Sequence, residues 1–88
     1  MTLAQAKRRH ANHKPVRLAD PAQLCFRIMR SCGQLLGAGG HPLRRDWLDL
    51  PAQIADVGSH RILLYWPAQA CELNECPSLW TEPDHVTD

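Results

Sequence analysis

The sequence predicts a mostly α-helical small domain with at most one short strand or hairpin, a flexible basic N-terminal arm and an acidic C-terminal tail. Three observations lead there. Apolar residues recur at helical spacing between residues 24 and 36, and again between 43 and 57. Charge is segregated: residues 1–19 hold Lys7, Arg8, Arg9, Lys14 and Arg17 with no acid, while residues 72–88 hold Glu72, Glu75, Glu82, Asp84 and Asp88 with no base. Finally, 88 residues give room for one modest core, and a hydrophobic share of 44% is too high for a fully disordered chain. The expected division is an arm at 1–17, a helical domain at 18–76 and a tail at 77–88.

Thr2 and Gln5 have the spacing of a capping box, so a helix can start at residue 3. Few large apolar residues follow, and a helix this short is marginal in isolation, so residues 2–13 are expected to be frayed or only partly helical. Pro15 stops it. Asp20 as N-cap and Pro21 in the first turn open the clearest element, residues 21–36. Leu24, Cys25, Ile28, Met29, Cys32, Leu35 and Leu36 mark its apolar face, and Gly37 is the expected stop. After the Gly37-Ala38-Gly39-Gly40 connection, Leu43, Trp47, Leu50, Ile54 and Val57 step by four, three, four and three. That spacing predicts a helix near 43–48, a break at Pro51, and a second helix over about 50–57 ending at Gly58. Residues 62–66, apolar on both faces and closed by Pro67, lean towards a buried strand, with residues 15–18 as its only extended partner. Residues 68–76 suggest another helical turn or two. Leu79 and Trp80 would anchor the tail. The expected core comprises Leu24, Ile28, Met29, Leu35, Leu36, Trp47, Leu50, Ile54, Val57, Ile62, Leu64 and Trp66.

The longest apolar run, residues 62–66, falls far short of the roughly 20 residues of a membrane span. Lys7, Arg8 and Arg9 follow a weakly apolar stretch, the reverse of a secretory signal, so a cytoplasmic protein is expected. Arginine outnumbers lysine eight to two, and alanine, leucine, glycine and proline are plentiful, which points to a GC-rich bacterial or phage genome.

Four functional readings follow. Lys7, Arg8, Arg9, Lys14 and Arg17 form a basic set able to neutralise phosphates of DNA or RNA. Residues 54–61 resemble the first helix, glycine turn and recognition-helix start of a degenerate helix-turn-helix, one residue short of the usual spacing. In that reading His60 and Arg61 would meet base edges. Cys71 and Cys76, with a histidine to either side, form a candidate zinc pair for a small adaptor. Cys25 and Cys32 lie about 10.5 Å apart by helical rise, too far to chelate together. Leu79, Trp80, Glu82 and Asp84 combine an aromatic anchor with acids, as protein-binding segments do. No nucleophile, base and orienting group stand in a recognisable set, so neither an enzyme nor a cofactor is expected. The leading expectation is a non-enzymatic protein acting on a protein partner, an inhibitor or regulator of phage or mobile-element type. The nucleic-acid regulator and the zinc adaptor are the alternatives. With so little core, a homodimer is a further expectation.

Overall fold

A computed structural model describes residues 1–67 and 77–88, and it overturns the mostly helical expectation. Among the described residues two α-helices, Leu3–Ala11 (α1) and Pro21–Cys32 (α2), accompany five strands in two antiparallel sheets. The strands are Arg17–Leu18 (β1), Gln53–Val57 (β2), Ile62–Tyr65 (β3), Ser78–Thr81 (β4) and Val86–Thr87 (β5). One sheet has the order β2-β3-β4, and the other pairs β1 with β5.

The N-terminal segment is folded structure and not a flexible arm. Thr2 Oγ1 accepts from the Gln5 N–H at 3.1 Å, and Gln5 Oε1 accepts from the Thr2 N–H at 2.9 Å. This capping box satisfies two of the donors that a helix start otherwise leaves unpaired. What makes α1 persist is tertiary: it packs on β2, with Ala6 fully buried and Leu3 against the core. Nor is the C-terminal segment a tail. Residues 78–81 complete the three-stranded sheet, and residues 86–87 pair with β1.

Asp20 caps α2 as expected, its Oδ1 accepting from the Gln23 N–H at 3.1 Å. The helix stops a turn early, because Gly33 takes the left-handed conformation (φ 74°) and donates to Met29 O at 2.7 Å. Residues 35–43 then fold back on themselves: Leu43 N–H bonds Leu35 O, and Gly37 N–H bonds His41 O. That loop sets Gly37 so close to β4 that a Cβ there would run into the Ser78 carbonyl oxygen.

The predicted helices over 43–57 are a short 3-10 turn, Arg45–Asp49, followed by β2. The helical spacing of Ile54 and Val57 has a β explanation. Ile54 faces Leu64, whereas Asp56 faces Leu63 and Val57 faces Ile62, so Ala55 is an extra, bulged residue. Strict alternation would have sent Asp56 inward and Val57 outward. The bulge reverses both, placing two apolar residues three apart on one face. Residues 54–61 are therefore a β-hairpin, not a helix-turn-helix.

The inner sheet face presents Ile54, Ile62, Leu64 and Leu79 to a single core that also holds Val16, Leu18, Cys25, Leu43, Trp47, Leu48, Ala52, Trp66 and Val86. The Trp66 indole N–H reaches Leu50 O at 3.4 Å. Two residues expected in the core lie outside it, Met29 at 48% and Leu50 at 39% exposure. Leu24, Ile28, Leu35, Leu36 and Val57 are half-buried. Among the described residues no helix is long and apolar enough to cross a membrane.

Candidate functional site

Strand pairing fixes which way the main chain of β4 points. Trp66 N–H bonds Pro77 O at 3.3 Å, so residues 66 and 77 form a hydrogen-bonded pair. Such pairs alternate along an antiparallel ladder, so Leu64–Leu79 and Ile62–Thr81 are bonded pairs too. Ser78 and Trp80 therefore turn their N–H and C=O groups to the other side, the outer edge of the sheet. Among the described residues no strand pairs with that edge. Gly37 covers it at Ser78.

Beside this edge runs an open groove of about 320 Å³ between α2 and β4. Its apolar walls are Leu24, Ile28, Leu36 and Leu79. Arg27, Arg61, Glu82 and His85 supply charge or polarity at its rim. α2 supplies Leu24, Arg27, Ile28, Ser31 and Cys32 because it lies lightly on the domain: only Cys25 is fully buried, and Phe26 is 65% exposed. Thr81 stands on the inner side of β4 at 4% exposure, and its Oγ1 has no hydrogen-bond partner. Buried hydroxyls are nearly always paired. Arg27 Nη1 donates to His85 Nε2 at 3.1 Å; a guanidinium only donates, so that ring nitrogen carries no proton. Arg61 lies 5.1 Å from the centre of the Trp80 ring, and the ring edge approaches Gly58. A smaller hollow of about 100 Å³ adjoins at Asp20, Gln23, Asp84 and His85.

The candidate protein-binding residues thus fall around one place. Leu79 is buried in the groove wall, Trp80 is half-buried under Arg61, Glu82 is on the rim, and Asp84 lines the neighbouring hollow. Lys7, Arg8 and Lys14 are exposed. Arg17 Nη1 donates to Asp49 O at 3.2 Å, and His60 sits exposed in the hairpin turn. Arg9 is engaged by Asp88 through both carboxylate oxygens, at 2.5 and 2.7 Å. That bidentate bond holds the Arg9 guanidinium charged and keeps the Asp88 carboxyl below its ordinary value. Lys14 and the N-terminal ammonium add to the effect on Asp88. Met1 also uses its ammonium to donate to Pro83 O and Val86 O, each at 3.2 Å.

Cys71 and Cys76, the candidate zinc pair, lie outside the described residues. Among those described, no group of three metal-ligating side chains comes together. Cys25 and Cys32 are free thiols.

Arg27, Ser31 and Thr81 join the site without a signal in the sequence, and His85 joins it although the sequence marks it only as the histidine downstream of the candidate zinc pair. One signal was available for β4: four residues suited to a strand, Ser78-Leu79-Trp80-Thr81, bounded by Pro77 and Pro83. Compared with protein-family models, with curated proteins and with solved structures, the chain matches none.

Proposed function

We propose that this chain is a non-catalytic, cytoplasmic protein-binding module of the regulator or inhibitor kind, whose partner docks in the groove between α2 and β4. The observation that carries the reading is the conjunction of an apolar-walled groove with, alongside it, a strand edge that no strand among the described residues pairs. Its volume lies at the lower end of the range for ligand sites, about 300–1,000 Å³, so it accepts one or two side chains, not a large cofactor.

A photo-crosslinking residue at position 31, in the groove, tests this directly in cells. One dominant protein adduct is expected there, and none of the same size from a crosslinker at position 7 on α1. Identical adduct patterns from both positions would count against the groove.

A second reading, nucleic-acid binding, has one observation in its favour: Lys7 and Arg8 are exposed neighbours on α1. Against it, Arg9 is occupied by Asp88. A mobility-shift titration with duplex DNA would then show weak binding with a shallow salt dependence, because few phosphates are neutralised.

A further inference from the structure

We propose that the groove's occupant is an extended, acidic peptide segment of another protein, which adds as a new strand on the outer edge of β4. The inference rests on the groove being the working surface and names what lies in it.

The main chain supplies the first argument. An outward-facing N–H and C=O on Trp80 is one complete slot for an antiparallel partner strand. Exposed edges invite such pairing, and folded proteins blunt them with lysines, internal prolines, bulges or covering segments. Ser78-Leu79-Trp80-Thr81 contains no lysine, no proline and no bulge. Among the described residues the loop over 37–40 lies against β4, with Gly37 at the Ser78 end. At the far end, Glu82 O is taken by His85 N–H, which limits the free stretch to the neighbourhood of Trp80.

Side chains supply the second. An added strand alternates its side chains between the two faces of the sheet. Those on the inner face enter the groove, among Leu24, Ile28 and Leu36. Apolar residues fit there. The Thr81 hydroxyl, buried and unpartnered in the same wall, offers a hydrogen bond that no described residue of the chain takes up. Charge selects the sign: Arg27 and Arg61 outnumber Glu82 at the rim, so a segment carrying aspartate or glutamate is favoured over a basic one.

The test uses the full chain and a phage-displayed library of random twelve-residue peptides. Enriched sequences should alternate apolar residues and carry at least one acid. For a synthetic peptide of that sequence, N-methylation of the one residue opposite Trp80 should weaken binding about tenfold, with the flanking positions tolerant, since that methyl removes the main-chain donor that the Trp80 carbonyl accepts. The Trp80 amide should exchange more slowly in the complex. Arg27→Glu and Ser31→Glu, both at exposed positions, should each weaken binding by about tenfold, in line with losing or repelling a charged contact. Three results overturn the proposal. Affinity that depends on positions 27 and 31 but ignores N-methylation would remove strand addition and leave the groove reading standing. No enrichment, or binding indifferent to both substitutions, would remove both. A free protein that sediments as a dimer, with the Trp80 amide already protected, would assign the edge to a second copy.

Discussion

The three-stranded sheet ends in two outer strands that are finished differently. On β2, Ala52 exchanges both main-chain bonds with Val16 at 2.8 Å, and the His10 ring donates from Nδ1 to Ile54 O at 2.8 Å. A helix lies over the same strand. On β4, among the described residues, the loop at Gly37 covers Ser78 and nothing pairs with Trp80. The same ladder chemistry is closed by residues of the N-terminal segment on one side and left open beside a groove on the other. An edge strand is a hazard that chains normally hide. Among the described residues one of the two is sealed and the other is not, and this is what points to β4 as a place of contact.

The largest expected effect lies in the strand common to both sides. Leu64 is fully buried at the centre of β3, so Leu64→Ala should cost about 3 kcal/mol in urea unfolding, from lost burial and the cavity left behind. A loss well under 1 kcal/mol would mean the sheet is not the framework that holds the two edges. Next comes Gly37→Ala. The new methyl meets a main-chain oxygen and the Leu43 side chain, and the loop must retreat from β4; about 2 kcal/mol is expected, as for an overpacked site. Unchanged stability would show that this end of β4 is not held by the loop at all.

His10→Ala should be milder, about 1 kcal/mol, the usual net value of a hydrogen bond. Amide exchange sharpens this one: faster exchange in α1, with Leu79 and Thr81 unaffected, would confirm that the two edges are sealed independently. The smallest effect belongs to Asp88→Asn. Bonding to Arg9 depresses the Asp88 pKa, so its contribution is present above the ordinary value of 3.8 and disappears as pH falls through the lower folded value. The difference between the two proteins should therefore be visible at neutral pH and low salt, and should close in acid or in high salt. A gap that widens as pH falls would contradict the sign of that shift.

How far the sequence reveals this fold depends on whether a signal is local. Thr2 with Gln5, and Asp20 with Pro21, are self-contained capping devices, and both helices start where those residues say. Gly33 is masked as a stop in the sequence because the apolar spacing continues through Leu35 and Leu36; Leu35 packs on the core from the loop instead. The misread region is instructive for a different reason. A bulge at Ala55 makes a strand imitate the three-residue step of a helix, and no local rule separates the two. Residues 77–88 suggest a tail because they begin at Pro77 and carry Glu82, Asp84 and Asp88 with no lysine or arginine, yet Leu79 and Val86 are buried. Their fate is settled by partners far away in sequence. Trp80 and Leu79 stand out by type; Thr81 and His85 acquire interest only when β4 and α2 are brought together.

The pairing of Arg17 with Thr87 and of Leu18 with Val86 joins regions from the two extremes of the chain. Closing so long a loop is entropically unfavourable until other contacts have already drawn its ends near. The hairpin of β2 and β3 needs only neighbouring residues and can form first, with α1 and β4 docking on it. On that ground the joining of β1 to β5 is expected late in assembly, and limited proteolysis is expected to find the molecule's earliest opening there.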